Sequence, residues 1–176
     1  MGVFFNAFFR RADVVKMANL AQMVNVIAPI MTNEKGLFLQ PIYFPLVEFS
    51  RQRENTALDV WVSSPTYKIQ NRPQEIPYLD VSASHNRQTG ELFVNVLNRS
   101  KDQDIATRVE SQAAPITGDV GVWELNHPDL KATHSFGDDR KVRPSERTIK
   151  VGVERDGFSY TFPAHSLTIL KVKLRG

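Results

Sequence analysis

Glu91-Leu92-Phe93-Val94-Asn95-Val96-Leu97 carries apolar side chains on alternate positions of both phases. Successive side chains of an extended chain point to opposite faces, so this run predicts a strand covered on both sides. Outward from it the chain breaks into short alternating segments. Val60 and Val62 alternate with Asp59 and Trp61, and Leu79, Val81 and Ala83 alternate with Asp80 and Ser82. Ile105, Thr107 and Val109 share a face, Val120 to Leu125 form another segment, and Ile149, Val151 and Val153 lie opposite Lys150 and Glu154. Phe158, Tyr160 and Phe162 alternate with Ser159 and Thr161. Thr168, Leu170, Val172 and Leu174 oppose Ile169, Lys171, Lys173 and Arg175. Asn86-Arg87-Gln88-Thr89-Gly90 and Arg155-Asp156-Gly157 read as hairpin turns in which Gly takes positive φ. About eight short strands divided by such turns predict an antiparallel β-sandwich, so the fold class is mainly β.

The period changes upstream of about Thr56. Val3, Phe4, Ala7 and Phe8 stand at helical spacing, and Arg10-Arg11 suit a helix C-terminus. Val14 to Ala21 is an apolar run of strand length, although length alone leaves helix open. Thr32-Asn33-Glu34-Lys35-Gly36 is a turn. Ile42, Tyr43, Pro45, Leu46 and Phe49, with the charged Glu48, Arg51 and Arg53, read as an amphipathic helix starting near Pro41. The expected division is therefore a helix–strand–helix unit over residues 1–55 and a sandwich over 56–176.

Composition bounds the chemistry. The 176 residues hold 22 Lys+Arg against 19 Asp+Glu, 41% hydrophobic residues and no cysteine. That balance is globular, gives no reason to expect nucleic acid, and excludes disulfides, thiol nucleophiles and thiolate metal sites. No apolar stretch reaches the about eighteen residues of a membrane span, and the opening Met1 to Arg11 lacks the charge order of a signal peptide. His85, His127, His134 and His165 are scattered, and Asp102, Asp104, Asp129, Asp138 and Asp139 lack calcium-loop spacing, so no metal site or cofactor is expected. Arg140 to Arg147 is basic but balanced by Asp138, Asp139 and Glu146, as a solvated edge would be. Asn98-Arg99-Ser100 is a glycosylation sequon in form only. Trp61, Trp123, Phe158, Tyr160 and Phe162 could furnish the aromatic row of a non-catalytic carbohydrate-binding module, although the alternation around the last three favours the core.

One ordered series of segments is specific. Ala21-Gln22-Met23-Val24-Asn25-Val26-Ile27-Ala28-Pro29-Ile30-Met31-Thr32 resembles the signature near the end of the catalytic barrel in α-L-arabinofuranosidases of glycoside hydrolase family 51. Ala12 to Asn19, Gln40-Pro41-Ile42-Tyr43-Phe44-Pro45, Ser64-Pro65-Thr66-Tyr67, Asn98-Arg99-Ser100, Asp129-Leu130-Lys131-Ala132-Thr133 and Pro163 to Leu170 follow in the family's order. Leu39, Phe38 and Arg11 stand where relatives often carry Arg, Trp and His.

The resemblance implies the end of a (β/α)₈ barrel followed by a C-terminal β-sandwich. Met1 to Arg11 would be the tail of the seventh barrel helix, Val14 to Ala21 the eighth strand, and the segment from Pro41 the eighth helix. Barrel sites lie at the C-terminal ends of strands, where the resemblance puts Gln22 as a hydrogen-bonding contact to the arabinofuranose hydroxyls. Asn25 is a weaker contact or a brace of the same loop. Retaining glycosidases need two carboxyl groups about 5 Å apart. The family's glutamates belong to the fourth and seventh strands, so no catalytic residue is expected here. The implied partners are arabinose-containing oligosaccharides and either the missing barrel segment or a second copy. Absent cysteine agrees with a cytoplasmic location. Without a closed barrel, Val3, Phe4, Phe8, Val14, Leu20, Ile27, Phe38, Leu46 and Phe49 are expected to lack partners, so that the arm is disordered, collapses onto the sandwich or drives association.

Overall fold

The central run of the sequence forms strand β7 (Glu91–Asn98), and the structure, a computed structural model, describes residues 1–71, 73–112, 114–152 and 157–174. β7 pairs with β6 (Leu79–Asn86) on one side and β12 (Leu167–Leu174) on the other, both antiparallel. β9 (Ile116–Leu125) and β10 (Ser145–Lys150) extend the sheet beyond β12, and β3 (Thr56–Leu58) extends it beyond β6. The order across the six strands is β10-β9-β12-β7-β6-β3.

Register sorts the side chains. Val81 faces Val96, Val94 faces Leu170, and Leu170 faces Val122, so aliphatic residues align on one face. A second sheet, β8 (Ile105–Glu110) with β11 (Gly157–Phe162), closes over that face. Ile105, Phe158 and Phe162 pack there against Leu79, Val94 and Val172. This is the expected antiparallel sandwich, and a one-residue slip would turn either face inside out. A small hairpin, β4 (Thr66–Lys68) with β5 (Glu75–Pro77), went unpredicted because each strand is too short to show alternation. Val60 and Val62, expected in a strand, lie in the β3–β4 connection yet still pack on the core. Val153, Glu154, Arg155, Asp156 and Arg175 lie outside the described residues. The Asn86 to Gly90 turn forms as expected, with Gly90 at φ 71 and the Asn86 side chain accepting from the N–H groups of Gln88 and Thr89.

The other face of the six-stranded sheet is covered by helices α1 (Gly2–Arg10) and α2 (Tyr43–Ser50). Phe5, Phe9, Phe44 and Phe49 pack on Phe93, Trp123, Leu167 and Ile169. Phe49 is 4% exposed, stacked on Phe5 at 4.9 Å and edge-on to Phe9 at 5.5 Å. Of the outcomes expected for the arm, collapse onto the sandwich is the one found. Phe49 and Phe38 are buried and do have partners, contrary to expectation, whereas Val3, Phe4, Val14 and Ile27 remain exposed.

Polar groups fix where the helices sit. The Asn6 amide donates to the Asp80 carbonyl and carboxylate, both at 2.9 Å, and accepts from Ser82 Oγ at 2.8 Å. The Gln52 amide exchanges hydrogen bonds with the Asn95 amide at 2.9 and 3.1 Å and accepts from Ser84 Oγ. Asn95 reaches Ser82 at 3.2 Å, which joins both helical segments into one buried network. Asp80 closes it, held by Arg10 at 2.8 Å and by Arg99. A buried polar network is favourable only when its members are satisfied, and these side chains satisfy one another.

Two expectations for the arm fail. Val14 to Ala21 forms no strand: a strand needs neighbours to take its N–H and C=O groups, and none of the described strands pairs with this segment. Between the helices stands a hairpin instead, β1 (Ile30–Asn33) with β2 (Gly36–Leu39), built around the expected turn. Glu48 is not on a solvent face but buried. It pairs with Arg51 at 2.8 Å, while Lys171 Nζ lies 2.7 Å from its other oxygen without hydrogen-bond alignment. No helix among the described residues is long and apolar enough to cross a membrane.

Candidate functional site

The segment from Gln22 to Gln40 closes on itself. The N–H of Asn25 donates to the Ile30 carbonyl at 2.8 Å, and Val24 bridges Ile30. The Asn25 side chain accepts from the Thr32 N–H at 2.6 Å and donates to Thr32 Oγ1 at 3.0 Å. Gln40 ties down the far end, its N–H bonding the Pro29 carbonyl at 2.8 Å and its side chain the Ala28 carbonyl at 3.1 Å. Asn25 thus braces the loop, and Gln22 stands exposed at its start.

Gln22, Asn25 and Val26 all have positive φ, at 56, 62 and 60°. Asn visits that region readily, but a β-branched residue there is strained. Such strain persists where surrounding bonds enforce it, and it concentrates at binding loops. Val26 is 74% exposed, so packing does not reward its conformation. Val26→Asn is therefore expected to stabilise the chain by about 1 kcal/mol, read as a higher urea midpoint; an unchanged or lower midpoint would show the loop to be unstrained.

The remaining candidates resolve plainly. Trp123 is 3% exposed and Phe158 and Phe162 are buried, so the aromatic row of a carbohydrate module does not form. Trp61 alone stands out, at 86% exposure. The sequon Asn98 is buried, its amide spent on the Gln103 and Phe162 carbonyls. The basic stretch is an edge as expected: Lys141 pairs with Asp138 and Arg143 with Asp139, and β10 is one of the two outermost strands of its sheet. Beside it Glu124 raises Arg147, and burial raises the Tyr160 hydroxyl above its ordinary pKa.

Among the described residues no group of three or more His, Asp or Glu could hold a metal ion. The two carboxylates buried among the described residues, Glu48 and Asp80, are each committed to cations. An open cleft of ≈ 420 Å³ between the helix N-termini and the β9–β10 loop, lined by Pro41, Pro45, His127 and His165 among others, does not include Gln22. Thr32 and Gln40 bind within the loop without any mark in their chemistry beforehand, although both lie in the motifs that carry the resemblance. His134, scattered in sequence like the other histidines, is buried.

The likeness to known proteins follows this architecture from end to end. Residues 1–166 match the alpha-L-arabinofuranosidase C-terminal domain family. The probable alpha-L-arabinofuranosidase C of Aspergillus clavatus is 35% identical over 98% of this chain, which corresponds to 33% of that protein. The intracellular exo-alpha-(1->5)-L-arabinofuranosidase 1 of Bacillus subtilis is 30% identical over 93% of the chain and 32% of its own length. The alpha-L-arabinofuranosidase of Thermotoga maritima, solved as an arabinose complex, superposes with a TM-score of 0.82 at 26% identity, over 98% of this chain and 38% of that one. The chain spans about a third of the length of the curated relatives it matches. By the match over residues 1–166 and the 35% identity to the A. clavatus protein, the chain belongs to the family of α-L-arabinofuranosidase C-terminal domains.

Proposed function

We propose that the chain acts as the last third of a retaining α-L-arabinofuranosidase that releases terminal arabinofuranosyl residues from arabinose-containing oligosaccharides. The observation that carries this reading is the family match over residues 1–166, at a third of the length of relatives named for that activity. The division into residues 1–55, the end of the barrel, and 56–176, the sandwich, belongs to the same proposal. The carboxyl pair of the double displacement would come from barrel polypeptide of the kind that fills the rest of the relatives. That segment is the expected partner, since Phe4, Val14, Met17 and Ile27 offer it exposed apolar surface. The B. subtilis relative is named intracellular, which supports a cytoplasmic location for this chain as well.

Gln22 is the side chain proposed to contact the sugar, its amide offering both donor and acceptor to a hydroxyl pair. Asn25 holds the loop in the shape that presents Gln22. The test is a chimera in which this chain replaces the last third of the B. subtilis enzyme. The chimera is expected to turn over an aryl α-L-arabinofuranoside, and the chain alone is not. Gln22→Ala should lower kcat/KM of the chimera by about ten- to a hundredfold, the loss of one or two hydrogen bonds to a bound hydroxyl. Turnover by the purified chain alone would refute the division of labour, and an unaltered Gln22→Ala chimera would refute the sugar contact.

A further inference from the structure

Among the described residues, His134 is the one polar side chain buried in the long connection between β9 and β10, directly after the Asp129 to Thr133 motif. Both ring nitrogens are engaged. The Val142 N–H donates to Nε2 at 3.0 Å, so Nε2 is the acceptor and the ring proton resides on Nδ1. Nδ1 lies 2.5 Å from the Leu39 carbonyl, to which it donates. Leu39 ends β2, and the next residue, Gln40, holds the Ala28 and Pro29 carbonyls. Ala28 in turn donates to the Asn25 carbonyl at 3.0 Å. A continuous series of bonds therefore runs from the sandwich to the strained loop. Two ring contacts flank it: Phe136 meets Phe38 edge-on at 4.8 Å, and His134 meets Phe44 edge-on at 6.3 Å.

We infer that His134 is a positioning residue: through the Leu39 carbonyl, the β9–β10 connection of the sandwich sets the conformation of the Gln22–Gln40 loop. The consequence for sugar binding rests on the reading of Gln22 above; the brace itself does not. A sandwich side chain thereby takes part in shaping a site that it does not enter. It also gives the sandwich a task beyond covering the apolar faces of α1 and α2. Phe38 belongs to the same contact.

Amide hydrogen exchange on the full chain tests this at Ala28, Thr32 and Gln40, whose N–H groups close the loop. His134→Gln moves the amide toward Val142 and removes the donor at the Nδ1 position. It should accelerate exchange at those three amides by about tenfold, the loss of one buried hydrogen bond, while amides of β7 and β12 stay within about twofold. His134→Asn retains a donor aimed at Leu39 and should leave the three amides within about threefold of the unsubstituted chain. Unchanged loop exchange in His134→Gln would overturn the proposal. So would equal acceleration of loop and sheet, which is the signature of lost global stability alone, or an Asn variant as fast as the Gln variant. Failure of the sugar reading registers elsewhere, in the turnover of the Gln22→Ala chimera, and leaves the exchange pattern as it is.

Discussion

Asp80→Ala is expected to lower the unfolding free energy by about 3 kcal/mol, an effect visible as a reduced urea midpoint at unchanged slope. The carboxylate is buried and takes hydrogen bonds from Asn6, Arg10 and Arg99. Removing it takes the charged acceptor from two guanidinium groups and one amide, which keep only the backbone carbonyls of Val81, Pro77 and residue 80 itself. Losses of this kind run to about 5 kcal/mol when every partner is trapped. Arg10 is 40% exposed and can swing toward water, which holds the expected figure near the low end. Asp80→Asn keeps the shape and one acceptor oxygen, so its cost should fall between the alanine variant and none. A loss below about 1 kcal/mol in Asp80→Ala would mean that the helical layer is placed by its apolar contacts alone.

Phe49→Ala tests those apolar contacts. The ring is buried between Phe5, Phe9 and the sheet, and its removal leaves a cavity that two helices and six strands cannot all close around. The expected cost is about 3–4 kcal/mol, the transfer term plus the void and the lost ring geometry. Because α1 and α2 share this contact, their separation from the sheet should follow. Limited proteolysis is expected to cut the variant between residues 11 and 29 well before the unsubstituted chain. Equal protease resistance with a small midpoint shift would show that the two helices dock independently.

The sandwich was legible because burial on both faces writes itself into alternation: Leu92, Val94 and Val96 point one way, Phe93 and Leu97 the other. What covers the second face was not legible. Asn6, Gln52, Asp80, Ser82 and Asn95 look like surface residues in a linear reading, and only pairing across 13 to 76 positions turns them into an interior. Glu48 misled for the same reason, since its partner Lys171 sits at the far end of the chain. The expected strand at Val14 to Ala21 had the right composition, yet a strand is a relation between neighbours, and local sequence cannot supply the neighbour. In the candidate loop, Gln22 and Asn25 were reached by family likeness rather than by chemistry. The positive φ of Val26 carries no sequence mark at all. His134 was the opposite case: the motif just before it was in view, but a lone histidine gives no sign of burial until the Leu39 carbonyl is seen beside it.

The hydrogen-bonded seam beneath α1 and α2 bears on how such a unit can travel between genes. A recombination point near Thr56 would look safe in a linear map, yet the transplanted piece would arrive with Phe93, Trp123, Leu167 and Ile169 bared and with Asn95 and Asp80 stripped of their mates. Inheritance of this architecture should therefore be all or nothing: the sandwich moves with the two helices that roof it, or it does not move.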